Sequence, residues 1–356
     1  MSFSRTVAVL VSFSLASAAC GGVGFDPPEE IKTVRVLALH KSLPYAKPGE
    51  TVDVKLLFWD GKATDGSRRD LQVLFLPCFN PLGDLYYNCF QSLGDAGPGP
   101  GPIGSDGGDD ASDAGDADLA DAALDAPSQE AGLPAWDADH TRTWSVRIPD
   151  AIISSRPQLP GVTPYGLVDV LFAVCAGQLA LAPPQGSNGL PVVCKDGDRV
   201  LGPEDFVPGY ASIYAYDERR NANPIIDDFR FEGQSIMDSG GAPDSDVRHV
   251  ARCNAGSTCP RFELKMDVNR SSAEIDPSST DPEGHVLQEQ VWIAFYSSGG
   301  EFDHALRLVN DATRGWNDDN AVKWTAPAEP GPVRIWGVVH DNRGGTTWLE
   351  AKIVVD

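Results

Sequence analysis

Three loops of this chain combine Asp and Asn side chains in a way that suits calcium. Calcium prefers hard oxygen ligands held in flexible loops. The candidates are Asp227 and Asp228, Asp318 and Asp319, and Asp341 and Asn342. The same side chains also cap turns in proteins that bind no metal, so both roles stay open here. We expect no obligatory cofactor, and calcium is the one candidate ion.

The seven cysteines are the second set of chemically reactive side chains. Six of them form three pairs that are close in sequence: Cys78 and Cys89, Cys175 and Cys194, and Cys253 and Cys259. In an oxidising compartment this spacing predicts three local disulfides. In the alternative for the first four cysteines, Cys78 is bonded to Cys175 and Cys89 is bonded to Cys194. Cys20 is left over and needs an explanation of its own.

Motifs for catalysis and nucleotide binding lack the structural context that they require. His249 could ligate a metal with Cys253 and Cys259, but those two cysteines are expected to close a disulfide loop. Residues 99–104 read Gly-Pro-Gly-Pro-Ile-Gly. They follow no predicted strand and lie among carboxylates that repel a pyrophosphate. We therefore expect a protein that is not an enzyme, with an envelope hydrolase as the less favoured alternative.

The charge of the chain excludes some partners and is concentrated in one segment. The formal net charge of −23 argues against nucleic-acid binding and against electrostatic binding to anionic lipid. Residues 92–139 contain twelve of the 51 Asp and Glu and no Lys or Arg, which is about half of that net charge. This composition of Gly, Pro, Ala and Asp predicts a disordered acidic insertion.

The elements that must position these side chains are predicted to be β-strands. Thr51–Asp60 and Arg261–Val268 alternate apolar and polar residues, which indicates half-buried strands. Leu71–Phe79 is nearly all apolar, which favours a strand that is buried on both faces or central. Leu167–Ala176 is the most apolar run after the leader. Phe206–Asp217 places Ile213 and Ala215 on one face and its tyrosines, Tyr210, Tyr214 and Tyr216, on the other. About seven strands in each half predict two β-sandwiches.

The first nineteen residues have the pattern of a secretory leader. Arg5 precedes an apolar run over residues 6–16 that is too short to span a bilayer. Ser17-Ala18-Ala19-Cys20 resembles a bacterial lipobox, although Ser17 stands where such motifs usually have Leu. The resemblance implies a signal peptide over 1–19, acylation of Cys20, a tether over 20–31 and an envelope location. Gly21 favours the outer membrane. Cleavage after Ala18, giving a secreted protein, is the alternative.

Two further stretches resemble immunoglobulin-type domains of bacteria. Val338-Val339-His340-Asp341-Asn342-Arg343-Gly344-Gly345 and Trp324-Thr325-Ala326-Pro327 are similar to PKD-like or cadherin-like domains, and Pro48-Gly49-Glu50-Thr51-Val52 is similar to the opening of Ig-like domains. The whole arrangement resembles lipoproteins of myxobacterial or δ-proteobacterial type. The resemblance implies an all-β fold with two Ig-like β-sandwich domains, at 32–218 and 219–356, the first carrying the acidic insertion.

The expected function is therefore a non-enzymatic envelope lipoprotein that acts as a binding or structural module. A calcium- or carbohydrate-binding adhesion protein is the alternative. The expected partners are a membrane, reached through the lipid anchor, and an unknown envelope protein or glycan, with no nucleic acid. Six tryptophans fall in or next to strands and could bind polysaccharide if they formed an exposed row: Trp59, Trp144, Trp292, Trp324, Trp336 and Trp348.

Overall fold

The computed structural model describes residues 29–62, 69–90, 140–158, 160–181, 191–237, 247–254, 256 and 258–356. Regular structure in these ranges is nearly all β-strand, with short 3-10 turns at Leu82–Asp84 and Arg270–Ser272. The all-β prediction is confirmed. The predicted leader, Cys20 and the acidic segment 92–139 lie outside the described residues. Within the described ranges, no helix is long and apolar enough to cross a membrane.

The first ten strands form the N-terminal sandwich. They are β1 (Val34–Lys41), β2 (Tyr45–Ala46), β3 (Thr51–Asp60), β4 (Gln72–Phe79), β5 (Thr141–Arg147), β6 (Gly166–Cys175), β7 (Gln178–Leu181), β8 (Val192–Asp196), β9 (Arg199–Val200) and β10 (Phe206–Ala215). One sheet has the order β1-β3-β5 and faces a second with the order β2-β10-β6-β4. β7, β8 and β9 form a small third sheet. Because β4 and β5 belong to these facing sheets, the acidic segment between them interrupts the N-terminal sandwich.

The core of the N-terminal sandwich comes from the alternation of β3 and the apolar run of β6. Val52, Val54, Leu56 and Phe58 of β3 are all 1% exposed or less. All ten residues of β6 are buried, as expected for a central strand covered on both faces. The same expectation is wrong for β4, because β4 lies at the edge of its sheet. Its last residue, Phe79, is 44% exposed.

The remaining strands form the C-terminal sandwich. They are β11 (Ile226–Phe231), β12 (Gln234–Ser235), β13 (Arg248–Val250), β14 (Arg261–Val268), β15 (Ile275–Thr280), β16 (Val286–Gln288), β17 (Val291–Ser297), β18 (Glu301–Phe302), β19 (Leu306–Asp311), β20 (Gly315–Trp316), β21 (Val322–Thr325), β22 (Gly331–Asp341) and β23 (Thr346–Val355). Two sheets face each other, β12-β11-β14-β21-β18 and β13-β23-β22-β17-β19-β20. Phe229, Phe295 and Trp324 fill the space between them.

The two sandwiches are joined by a hydrophobic contact between outer faces of their sheets. Leu37 of β1 and Leu57 of β3 point away from the N-terminal core and pack with Trp336 and Val338 of β22. β1 and the end of β3 are therefore covered on both sides. This contact explains why β3, predicted to be half-buried, has three consecutive buried residues at positions 56–58. Ile31 adds to the same cluster.

A half-buried carboxylate, Glu350 of β23, lies beside this contact. It forms an ion pair with Arg334 and accepts a hydrogen bond from Trp336 Nε1 at 3.0 Å. Its Oε2 lies 2.8 Å from His140 Nε2, just before β5. Burial alone would raise the pKa of Glu350, but the hydrogen bond with His140 and the charge of Arg334 outweigh it, so this pKa lies below its usual range. Polar contacts thus supplement the apolar ones across the junction.

The three local disulfides are confirmed. Cys78 bonds to Cys89, Cys175 to Cys194, and Cys253 to Cys259. The first closes the turn that follows β4, and the second joins the end of β6 to β8. The alternative connectivity that linked the first four cysteines across two segments is wrong. All six cysteines of the described residues are therefore consumed in pairs.

The junction makes a direct prediction for stability. Leu57 is completely buried between the sandwiches, and Leu306 of β19 is 64% exposed. We expect Leu57→Ala to lower the free energy of unfolding by about 2–5 kcal/mol, because it leaves a cavity in the shared cluster. Leu306→Ala is the matched control and should change it by about 0.5 kcal/mol or less. Urea denaturation measures both, and equal effects would contradict the proposed role of Leu57.

Candidate binding pocket between the two sandwiches

The predicted calcium ligands of the last hairpin are engaged in holding its loop. Asp341 is buried, and its Oδ1 accepts hydrogen bonds from the backbone N–H groups of Arg343 and Gly345, each at 2.8 Å. Asn221 Nδ2 lies 3.2 Å from its other oxygen. Asn342 Oδ1 accepts a hydrogen bond from the backbone of Gln290 at 3.0 Å. Asp341 therefore caps the turn of the hairpin, and Asn342 ties the loop to the segment before β17.

Asp227 and Asp228 are similarly occupied by protein partners. Asp227 Oδ1 accepts a hydrogen bond from Asn269 Nδ2 at 3.1 Å. Asp228 pairs with Arg230 at 2.8 Å and also accepts from Ser235 Oγ. These contacts give each of the two carboxylates a structural role within the C-terminal sandwich.

The second predicted pair, Asp318 and Asp319, follows β20. Arg270 Nη2 lies 3.1 Å from each carboxylate oxygen of Asp318 and donates to both. Asp319 donates its backbone N–H to Asn317. Asp227 and Asp318 line one open pocket of about 370 Å³, with Lys265 and Arg270 at the same surface. In the parts of the chain that the structure describes, no three His, Cys, Asp or Glu residues are grouped to hold a metal ion. Calcium binding stays a prediction.

The other sequence candidates take structural positions. Cys253 and Cys259 form their disulfide, and His249 Nδ1 lies 3.0 Å from Asp356, so these residues form no thiolate metal site. The six tryptophans do not make an exposed row: Trp324 and Trp336 are fully buried, and the other four are half-buried, Trp144 against Phe75 and Trp292 against His340 among them.

A larger pocket opens where the two sandwiches meet. Its volume of about 660 Å³ falls in the range of roughly 300–1,000 Å³ typical of small-molecule sites. Tyrosine rings dominate the wall, and two cationic side chains and the last hairpin loop complete it. The lining residues are Leu39, Lys41, Tyr45, Tyr165, Ala211, Ser212, Tyr214, Tyr216, Asn342, Arg343, Gly344 and Thr346. We call this site the tyrosine pocket.

Strand geometry brings the four tyrosines of the pocket together. Successive residues of a strand point to opposite faces of the sheet. Ile213 and Ala215 of β10 fill the N-terminal core, so Tyr214 of β10 and Tyr216 just after it point outward. β2 runs parallel to the end of β10 and pairs Tyr45 with Tyr214. Tyr165 immediately precedes β6, the other neighbour of β10.

The four rings form one contiguous cluster. The centroid of Tyr45 lies 5.1 Å from that of Tyr216 and 6.0 Å from that of Tyr214. Tyr165 lies 5.7 Å from Tyr214 and 5.9 Å from Tyr216. Aromatic pairs at these separations attract one another. The cluster is thus a preformed surface of ring faces and edges.

Tyr165 is held in place by an ion pair behind the pocket. Its hydroxyl donates to Asp84, which also pairs with Arg156. The guanidinium of Arg156 lies 4.2 Å from the centre of the Tyr165 ring. Burial, followed by the hydrogen bond to Asp84, raises the pKa of Tyr165 to about 12. The hydroxyl therefore stays protonated at neutral pH, and its ring remains available to the pocket.

Lys41, the last residue of β1, supplies a buried cation. The residue is 5% exposed, and its Nζ donates a hydrogen bond to the carbonyl of Ser212 at 2.8 Å. Burial lowers the pKa of Lys41 to about 8, against the opposing charge of Asp341. Gly344, with φ of +89°, passes over this ammonium, and a Cβ there would lie 2.8 Å from Nζ. A glycine therefore suits both the turn and the close approach.

Arg343 anchors the hairpin loop that covers the pocket. Its Nε pairs with Glu289, which is fully buried, and its Nη2 donates to Glu274 at 2.7 Å. The guanidinium also lies 5.6 Å from the centre of the Tyr45 ring. Burial raises the pKa of Glu289 to about 7, although Arg343 opposes this rise. Arg343 thus connects both carboxylates to the pocket wall.

Sequence reasoning found part of this site and missed the rest. The alternation of Phe206–Asp217 placed Tyr214 and Tyr216 on the face opposite the core, and the structure confirms this. Lys41, Tyr45 and Tyr165 carried no comparable signal, because none of them belongs to a motif and they approach the other tyrosines only in the folded chain. Asp341 was identified as a ligand candidate, and its carboxylate accepts hydrogen bonds from the backbone of its own loop.

Comparisons with known proteins give only distant likenesses. No family model and no curated protein matches the chain. The structure of Escherichia coli alpha-2-macroglobulin activated by porcine elastase matches 93% of this chain and 22% of its own, with 11% identity and a TM-score of 0.21. Dimeric latent PorU from Porphyromonas gingivalis matches 91% of this chain and 24% of its own, with 12% identity and a TM-score of 0.18. This chain thus spans less than a quarter of either protein, and we draw no functional argument from them.

The anchoring of the loop predicts a pH-dependent loss of stability. Arg343→Met leaves the buried Glu289 carboxylate without its ion-pair partner, which should cost about 3–5 kcal/mol at pH 8. The pKa of Glu289 is raised in the folded protein, so its protonated carboxyl favours folding. This contribution to the free energy of unfolding is present below the pKa of the unfolded state and is lost as pH rises through the pKa of the folded state. Removing Arg343 raises this pKa further and deepens the loss.

The cost of Arg343→Met should therefore be smaller near pH 5, where Glu289 is protonated, than near pH 8. Denaturant unfolding at both pH values measures the difference. Arg314→Met, at an exposed site, is the matched control and should show little cost at either pH. A cost for Arg343→Met that does not change with pH would contradict the coupling to Glu289.

Proposed function

We propose that this chain is a non-enzymatic, lipid-anchored envelope protein that binds a saccharide in the tyrosine pocket. The four-tyrosine cluster is the observation that carries the proposal. A sugar ring has apolar C–H faces and a rim of hydroxyl groups. A tyrosine offers a flat apolar ring with a polar end, and so matches both features.

The rest of the pocket wall supports a polar ligand of this shape. Lys41 and Arg343 are N–H donors beside the rings, and Ser212, Asn342 and Thr346 add polar side chains. Small-molecule sites typically combine aromatic walls with a few such polar groups. The pocket has room for a short oligosaccharide, and its opening at the junction would let a longer chain extend past it.

The envelope location is proposed from the leader together with the disulfides. Cys78, Cys89, Cys175, Cys194, Cys253 and Cys259 are paired with one another. These are the six cysteines of the described residues, and Cys20 is the seventh cysteine of the sequence. Such an odd cysteine after Ser17-Ala18-Ala19 supports acylation, and disulfides support an oxidising compartment. We place the anchor in the outer membrane on the basis of Gly21.

Acylation has a direct test in the mature N-terminus. We expect mass spectrometry of the protein from its native envelope to show Cys20 as the first residue, carrying acyl chains. Cys20→Ser should release the protein from the membrane fraction, because stable anchoring needs the attached lipid. A mature chain that starts at Ala19 with an unmodified Cys20 would show a secreted protein instead.

Saccharide binding is tested by changing one ring of the pocket. On a panel of oligosaccharides, Tyr214→Ala should weaken binding of the best ligand by about tenfold or more, since it removes the central ring of the cluster. Tyr214→Phe keeps the ring and should retain most of the affinity. Tyr87→Ala is the matched control, because Tyr87 is 44% exposed and lies outside the pocket.

Titration calorimetry and saturation-transfer NMR measure these affinities, and thermal unfolding of each variant verifies that it is folded. The proposal fails if the wild-type protein binds no member of the panel. It also fails if Tyr214→Ala, once shown to be folded, binds as tightly as the wild type.

A further inference from the structure

We infer that the tyrosine pocket selects saccharides that carry a carboxylate, such as uronic acids, and that the Lys41 ammonium binds this carboxylate. The inference rests on the proposed function and names the ligand class of the same site. Lys41 lines the pocket beside Tyr45 and Tyr214. A sugar stacked on these rings would bring its rim substituents to the side of the pocket on which the ammonium lies.

The hydrogen-bonding of Lys41 leaves capacity for an anion. An ammonium has three N–H donors. Among the described residues, Lys41 Nζ makes one hydrogen bond, to the carbonyl oxygen of Ser212. A carboxylate is the acceptor that a buried ammonium prefers, because a charge-assisted hydrogen bond is roughly twice as strong as a neutral one.

The other charged groups around Lys41 are already committed to protein partners. Asp341 is the carboxylate whose charge acts on Lys41, but its oxygens accept hydrogen bonds from Asn221 and the loop backbone. Arg343, the second cation of the wall, is bound to Glu289 and Glu274. Lys41 is therefore the charged side chain of the pocket whose remaining N–H donors can bind a ligand. One ammonium matches one carboxylate better than a dianionic phosphate.

The local charge contrasts with that of the whole chain. The protein carries a formal charge of −23, which disfavours acidic ligands at most of its surface. The lining of the tyrosine pocket includes two cations and no carboxylate. Because Arg343 is paired with Glu289 and Glu274, Lys41 is the cation that would attract an acidic saccharide to this position, and the selectivity should disappear with the charge of Lys41.

Burial makes that charge sensitive to pH. The pKa of Lys41 is about 8, so the ammonium is mostly protonated at neutral pH and lost in moderately alkaline solution. Asp341 of the hairpin loop is the group whose charge acts on Lys41. The other titratable or charged residues that line the pocket with it are Arg343, Tyr45, Tyr165, Tyr214 and Tyr216. Asp169 of β6 lies next to them and accepts a hydrogen bond from the side chain of Ser212. A ligand carboxylate beside Lys41 would raise the pKa of the ammonium. The affinity for that carboxylate would therefore fall as pH rises through the pKa of Lys41.

The test compares matched pairs of oligosaccharides that differ only at C6, as uronic acid or primary alcohol, in the glucose, galactose and mannose series. The full chain is titrated by calorimetry at pH 7. We expect the acid of the best-binding series to bind about tenfold tighter or more than its alcohol, the effect of one charge-assisted hydrogen bond. Lys41→Met should bring this ratio close to one while the alcohol still binds. Lys47→Met, at an exposed site, should leave the ratio unchanged.

A pH series on the wild-type protein provides a second measurement that needs no variant. The uronic acids stay ionised between about pH 7 and pH 9.5, so a falling acid-to-alcohol ratio over this range reports Lys41. Equal binding of acid and alcohol at pH 7 overturns the inference and leaves the proposed saccharide function standing. A preference that survives both Lys41→Met and alkaline pH also overturns it. Absence of binding to any member overturns both proposals.

Discussion

The structure depends on the burial of β1 and the end of β3 on both of their faces. These two strands pack on one side against the N-terminal core and on the other against β22 of the C-terminal sandwich. Leu57 and Trp336 form the centre of the second contact and are completely buried. Apolar area removed from water stabilises the junction whatever the detailed geometry. Without this contact, each sandwich would expose a strip of apolar residues.

Directional contacts set the relative position of the two sandwiches around this apolar contact. Glu350 joins Arg334, Trp336 and His140, so residues from both sandwiches meet at one half-buried carboxylate. A buried ion pair adds little net stability, because desolvation offsets the attraction. It does penalise alternative arrangements, since each would leave a charge unpaired. The apolar contact and the ion pair therefore have complementary effects on stability and specificity.

The tyrosine pocket is a consequence of the same junction. Lys41 ends β1 and Gly344 lies in the loop after β22, so the packing of these two strands brings the ammonium under the loop. Tyr45 and Tyr214 come from the facing sheet of the N-terminal sandwich. The proposed ligand site thus lies between two sandwiches that would each provide only part of it. A binding site at a domain boundary of this kind is a common arrangement in proteins.

Much of the local structure followed from local sequence. The alternation of Thr51–Asp60 and Arg261–Val268 predicted β3 and β14 with their observed bounds, because successive side chains of a strand face opposite sides. The close spacing of the cysteine pairs predicted three disulfides. The edge position of β4 was missed, since an apolar run does not reveal which neighbours cover it.

By itself, the sequence determined the strands, the outward face of Tyr214 and Tyr216, and the disulfide pairs, all of which depend on near neighbours in the chain. Only the tertiary structure decided that Asp341 caps a loop and that Lys41 lies in the tyrosine pocket. Lys41 contacts Ser212, which is 171 residues away in sequence, and no periodicity extends over that distance. Such contacts are selected by the packing of whole sheets, because burial of their apolar faces outweighs the preference of any single polar side chain.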